Sequence, residues 1–97
     1  MQCIQINLNK CKNATEQIFS YLVRNHPCVG LIQEPYSFRG KFPSHKGFKI
    51  YGVENSRAIC IVPNMMPVFM NHHLSNKDHT VVEFMNGDET LILASIY

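Results

Sequence analysis

The sequence predicts an α+β domain with one helix near its start and short strands after it, and three observations carry that prediction. Ile4, Ile6 and Leu8 alternate with Gln5, Asn7 and Asn9 in the period of a strand. Ile18, Tyr21 and Leu22 then recur at helical spacing. Beyond residue 47 the apolar residues come in short runs separated by turn-forming clusters. With 97 residues, 45% hydrophobic and 16% charged, the composition is that of a globular chain forming at most one domain, 1–97.

Each element follows from its residues. The first strand lies within 1–10. Asn13-Ala14-Thr15-Glu16 offers a capping residue with a glutamate three positions later, which predicts a helix over 14–24. Asn25-His26-Pro27 stops it, and 28–33 is a continuous apolar run of the kind covered on both faces of a sheet. Strand, helix, strand is the pattern of a parallel pair with a crossover. Residues 37–47 change to Ser, Arg, Gly, Lys, Pro and His and read as a loop, with Phe38 and Phe42 interleaved among Arg39, Lys41 and Lys46. Strands are predicted over 48–53, 57–62, 67–70, 80–85 and 90–97, with Asn86-Gly87 as a tight hairpin turn.

Composition also narrows the function classes. A formal charge of +2 is too small for a protein that holds nucleic acid by charge alone. The four cysteines, Cys3, Cys11, Cys28 and Cys60, show no Cys-x-x-Cys spacing, which predicts reduced thiols and an intracellular location. The N-terminus lacks a basic region followed by an apolar stretch, and no apolar run approaches a membrane span, so neither secretion nor a membrane partner is expected.

Leu31-Ile32-Gln33-Glu34-Pro35-Tyr36 sets one carboxylate at the end of an apolar strand. Two readings are open: a strand that ends with Glu34 in solvent and Pro35 stopping the ladder, or one half of a divalent-metal site. If the first strand and 28–33 are parallel neighbours, their carboxyl ends share one sheet edge, where α/β sheets place ligands. Asn7 and Glu34 would then converge, and an amide with a carboxylate suits a hydrated Mg²⁺. His72, His73 and His79 lack a recognised zinc spacing. Asp78-His79 resembles a catalytic pair, but adjacent residues on an extended chain point to opposite sides, so a polar turn is the better reading.

The residues quoted so far resemble the endonuclease/exonuclease/phosphatase superfamily, and within it the endonuclease domain of non-LTR retrotransposons of the jockey and telomeric-repeat kind. Ile4-Gln5-Ile6-Asn7-Leu8-Asn9 looks like that family's first strand with its metal-site asparagine, and Leu31 to Tyr36 like its metal-binding glutamate motif. Arg57-Ala58-Ile59-Cys60-Ile61-Val62 resembles the strand after the substrate-facing loop, and Ile92-Leu93-Ala94-Ser95-Ile96-Tyr97 the strand ending in an active-site tyrosine. The resemblance implies a DNase I-like fold, of which these residues make the N-terminal half: a partial four-layer α/β-sandwich.

It further implies Mg²⁺, with Mn²⁺ as an alternative, held by Asn7 and Glu34, with Gln5 supporting the ligands from the same strand face and Tyr97 as a catalytic hydroxyl. Contact with DNA is implied for Asn9, Lys10, Tyr36, Arg39 and Lys41, although for Asn9 and Lys10 a simple turn before the helix is the better reading. The implied activity is hydrolysis of DNA phosphodiesters for target-site nicking, in a nuclear setting. The family's Asp-x-Asn and Ser-Asp-His motifs match no position here, which predicts an N-terminal fragment with negligible activity alone. Residues 90–97 form a strong strand with no closing turn, which predicts self-association, or a non-catalytic interaction module or inert mobile-element relic as the alternative.

Overall fold

In the computed structural model residues 2–97 are described, with Asn86 described by its backbone only. Met1, part of the predicted first segment, lies outside the described residues. The element order is β1 (Gln2–Asn7), α1 (Lys12–Arg24), β2 (Cys28–Gln33), β3 (Phe48–Tyr51), β4 (Ala58–Pro63), β5 (Val68–Met70), β6 (His79–Asn86) and β7 (Glu89–Ile96). One helix and mostly strands agree with the α+β class read from the sequence.

The strands form two sheets. The first runs β1-β2-β4-β3, with β1 and β2 parallel and β2-β4 and β4-β3 antiparallel. The second is the antiparallel meander β5-β6-β7. β2 and β4 are central strands, which is why every residue of both is buried and their sequences read as unbroken apolar runs. One face of the first sheet packs under α1 through Leu8, Ile18, Leu22, Ile32 and Ile61. The other face meets the second sheet through Val29, Leu31, Val62, Val82 and Phe84. The layers are thus helix, sheet and sheet.

α1 is amphipathic, and its Ile18, Phe19 and Leu22 are buried. Each such side chain contributes about 1.5–3 kcal/mol relative to leaving it in water. The predicted capping box does not form. Cys11 is the N-cap, without a side-chain cap bond, and the helix begins at Lys12. The chain turns earlier than expected because Asn9 and Lys10 take φ of 50° and 56° and the Cys11 amide bonds Leu8 O at 2.9 Å. Thr15 then returns its hydroxyl to Cys11 O at 2.9 Å. At the far end both the backbone amide and the side-chain amide of Asn25 donate to Tyr21 O.

Two turns also differ from the sequence reading. The β6-β7 register pairs Asn86 with Glu89, so the hairpin turns on Gly87-Asp88 rather than on Asn86-Gly87, with Gly87 at φ 63°. Inside the 37–47 loop, Phe38 and Lys41 exchange backbone hydrogen bonds of 2.8 and 3.1 Å around Arg39 and Gly40, whose φ values are 53° and 79°. Positive φ at both central residues is the signature of a type I′ turn, so the loop tip is a miniature hairpin.

Candidate active site

The parallel register of β1 and β2 pairs Asn7 with Gln33, which brings the carboxyl ends of both strands to one edge of the sheet. Backbone bonds continue the pairing beyond the strands: Leu8 N–H donates to Gln33 O and Lys10 N–H to Glu34 O, both at 2.9 Å. The Glu34 amide in turn donates to Arg57 O at 2.8 Å. Glu34 is therefore clamped between the β1 turn and the residue entering β4.

Glu34 has φ 48°, a left-handed conformation that a non-glycine residue adopts at a cost of about 1–3 kcal/mol. The surrounding backbone bonds hold it there. The turn takes the half-buried carboxylate out of the β2 ladder and into a cleft of about 360 Å³, whose lining includes Lys10, Tyr36, Ser56 and Arg57. Lys10 and Arg57 give that cleft a cationic rim around one acid.

Tyr97 reaches the same carboxylate from the second sheet. Its hydroxyl donates to Glu34 Oε1 at 3.2 Å, and its amide donates to Asp78 O at 2.8 Å. The Arg57 guanidinium lies 4.4 Å from the centre of the Tyr97 ring, and Arg57 Nε and a terminal nitrogen both bond Asp78 Oδ1, at 2.7 and 2.5 Å. Asp78 thus serves as the partner of Arg57, and His79 begins β6 with its Nδ1 3.4 Å from Asn76 Nδ2, consistent with the polar-turn reading of that pair.

The two sheets are pinned beside the cleft by buried polar groups that sequence reasoning missed. Gln33 Nε2 donates to Ser95 Oγ at 2.9 Å, and Ser95 Oγ donates to Ile32 O at 2.8 Å. Thr80 Oγ1 donates to Ala58 O at 2.7 Å. Gln33, Ser95 and Thr80 are all buried, and no buried side-chain polar atom among the described residues lacks a partner. Because Ser95 stands two residues before Tyr97 on the same face, this pin sets how far the tyrosine reaches toward Glu34. A glutamine inside an apolar run was the available signal.

The remaining candidates divide. Asn7 is exposed, and its Oδ1 accepts the Asn9 amide at 2.8 Å, an Asx turn that fixes the side chain over the strand end. Gln5 shares the β1 face of Asn7 but is exposed, and among the described residues its side chain hydrogen-bonds neither Asn7 nor Glu34. Asn9 is exposed in the turn. Tyr36 is half-buried and lines both the Glu34 cleft and a larger groove beside α1. Arg39 and Lys41 are exposed at the loop tip, with the Arg39 guanidinium 5.1 Å from the Phe38 ring centre. The described residues include no group of three or more His, Cys, Asp or Glu placed to hold a metal. No described helix is long and apolar enough to cross a membrane.

None of the four thiols is paired. Cys28 and Cys60 are buried in the two cores, whereas Cys3 and Cys11 are exposed. β1 is an edge strand, and its alternate face is only partly covered. Burial pushes the Cys60 thiol up to about 12, against a smaller opposing pull from the Ser95 backbone amide.

No family model matches the sequence, and no curated protein matches it. Among solved structures, the endonuclease domain of TRAS1, a telomere-specific non-LTR retrotransposon, superposes with a TM-score of 0.81 at 24% identity. The match covers 98% of this chain and 43% of that one, so the chain spans less than half the length of its structural neighbour. The likeness establishes the fold: the helix and two sheets are arranged as in a DNase I-like endonuclease domain.

Proposed function

We propose that this chain carries the metal-binding part of a DNA endonuclease fold, with Glu34 and Asn7 as ligands of a hydrated Mg²⁺ or Mn²⁺. The observation that carries the reading is the Tyr97 hydroxyl on Glu34 Oε1 at 3.2 Å, in a cleft at the carboxyl edge of the sheet. Two segments 63 positions apart in sequence converge there, one acid and one phenol, beside Lys10 and Arg57.

The donor set suits a hard cation. The second carboxylate oxygen of Glu34 has no hydrogen bond among the described residues, and Asn7 Oδ1 accepts only the Asn9 amide. Two oxygen ligands with the remaining positions left to water is how Mg²⁺ is commonly bound. Such an ion, when present, would neutralise a phosphodiester and favour attack by water on phosphorus.

Within this reading the chain's own groups have separate roles. Glu34 and Asn7 hold the ion. Lys10 and Arg57 draw a phosphate into the cleft, since cations at a pocket rim raise the local concentration of an anion. Tyr97, steadied by Arg57 above its ring, donates its one hydroxyl proton to Glu34 Oε1 and would turn that proton to a phosphate oxygen when a substrate fills the cleft. Among the described residues no imidazole lines the cleft, and Glu34, its only carboxylate, is the one given to the ion. The group that would take the proton from water is therefore wanting, and the 97 residues alone should nick DNA negligibly.

Titration with Mn²⁺ tests the metal reading directly. Paramagnetic broadening of the Asn7, Glu34 and Tyr97 resonances at millimolar Mn²⁺, lost in Glu34→Ala, is the expected result. Uniform broadening, or broadening centred on His72 and His73, would sink it. In parallel, Mg²⁺-dependent nicking of supercoiled plasmid by the wild-type chain, abolished in Glu34→Ala, would overturn the expected inactivity.

A second reading has one observation behind it. β7 is an eight-residue edge strand with Ile92 and Ile96 more than half exposed, a template for strand addition by another chain or a second copy. Concentration-dependent sedimentation, suppressed in Ile92→Lys, would favour that interaction role.

A further inference from the structure

We propose that the groove between α1 and the 36–45 loop is a binding site for an unpaired nucleic-acid strand. The choice of polymer rests on the nuclease reading of the adjoining cleft. The groove encloses about 1030 Å³, close to three times the volume of the Glu34 cleft, and the two share Tyr36 and Phe42 along their common wall. A strand crossing the cleft would therefore run on into the groove.

The lining combines two chemistries. Phe19, Tyr36, Phe38, Phe42 and His45 bring five rings to it. Lys12 and Arg24 on the helix and Lys41 on the loop face a single acid, Glu16. Stacking rings with cations spaced along a groove is the combination that holds single strands without sequence preference. A duplex keeps its base faces stacked inside and presents only phosphates, so it would leave the rings in water.

The loop tip is built for this presentation. The type I′ turn at Arg39-Gly40 pairs Phe38 directly with Lys41, which sets a ring and an ammonium side by side on one face. Phe38 is 61% exposed, far more than a structural anchor requires. The groove floor is firm by contrast: Phe19 is buried and stacks on His45 at 5.2 Å between ring centres, and His45 meets Phe48 edge-on at 5.3 Å. The His45 ring is held in turn by the Gly47 amide, 3.2 Å from Nδ1. An exposed aromatic on a rigid hairpin above an ordered aromatic floor can clamp a base at small entropic cost.

The test uses the 97-residue chain and fluorescein-labelled oligothymidylate of twelve nucleotides, read by fluorescence anisotropy in EDTA. Working without a divalent ion separates this proposal from the metal reading, because Mn²⁺ broadening at Glu34 stands or falls independently. The expected result is at least tenfold tighter binding of the single strand than of a twelve-base-pair duplex. Phe38→Ala should weaken single-strand binding about tenfold or more, and Phe38→Tyr should retain it. In Lys12→Gln/Lys41→Gln the slope of log affinity against log salt should flatten by about 1.4, the loss of two single-strand phosphate contacts. Equal affinity for duplex and single strand would overturn the proposal, as would binding that ignores both Phe38→Ala and the double lysine variant. All three substituted residues are on the surface, so far-ultraviolet circular dichroism should match wild type.

Discussion

Replacing Ser95 by alanine probes the joint that brings Tyr97 to Glu34. The hydroxyl is fully buried, donates to Ile32 O at 2.8 Å and accepts from Gln33 Nε2 at 2.9 Å. Alanine removes both bonds and leaves the Gln33 amide with a single long contact to Leu31 O at 3.5 Å. A buried polar group left without its partner costs about 1–3 kcal/mol, and the lost hydrogen bonds add about 1 kcal/mol net. The expected destabilisation is therefore about 2–4 kcal/mol, a large share of the roughly 5–15 kcal/mol that holds a small domain together. Urea unfolding followed by circular dichroism measures it. Gln33→Leu in the Ser95→Ala background removes the stranded amide as well, so the double variant should be more stable than the sum of the two singles predicts, by about 1 kcal/mol. A Ser95→Ala cost below about 0.5 kcal/mol, or strict additivity with Gln33→Leu, would refute the view that this buried pair pins the sheets.

Three further tests address the thiols and the core. The Cys60 thiol, raised by burial from 9.0 to about 12, binds a proton in the folded state after the unfolded chain has released its own. Its stabilisation is complete below pH 9 and is lost as pH rises toward 12, at about 1.4 kcal/mol per pH unit. Denaturant midpoints measured from pH 8 to pH 11 should fall accordingly, and Cys60→Ala should be less stable at pH 8 but show a flatter alkaline limb. At neutral pH a thiol reagent should label Cys3 and Cys11 in the folded protein, and Cys28 and Cys60 only after denaturation. At Gly52 an added Cβ would sit 2.8 Å from Ile59 Cγ2, a stiff β-branched methyl in the core. Gly52→Ala should cost about 1–3 kcal/mol by overpacking, with a smaller penalty in an Ile59→Ala background.

Each predicted strand and the helix exist, within a few residues at their ends. Their signals are local: alternation in β1, apolar runs in β2 and β4, and helical spacing in α1. The misses share a cause. The capping box at Asn13 and Glu16 lost to a turn set earlier by Asn9 and Lys10, whose conformation follows from pairing with Gln33 and Glu34 some two dozen residues away. The hairpin at Asn86-Gly87 slipped by one residue because strand register, rather than turn propensity alone, decides which residues are central.

For the candidate site, the sequence by itself determined which groups are available to the proposed ion: a carboxylate after an apolar strand and an amide on its neighbour, with a tyrosine singled out by the family resemblance. Those are properties of residue type and period, and period is written along the chain. The tertiary structure alone decided that Tyr97 rests on Glu34, that Arg57 and Asp78 hold the tyrosine, and that Gln33 with Ser95 supports the edge while Gln5 stays in solvent. These contacts join residues up to 63 positions apart. They depend on how the second sheet docks across the first, and that angle is set by the packing of two cores rather than by any local pattern.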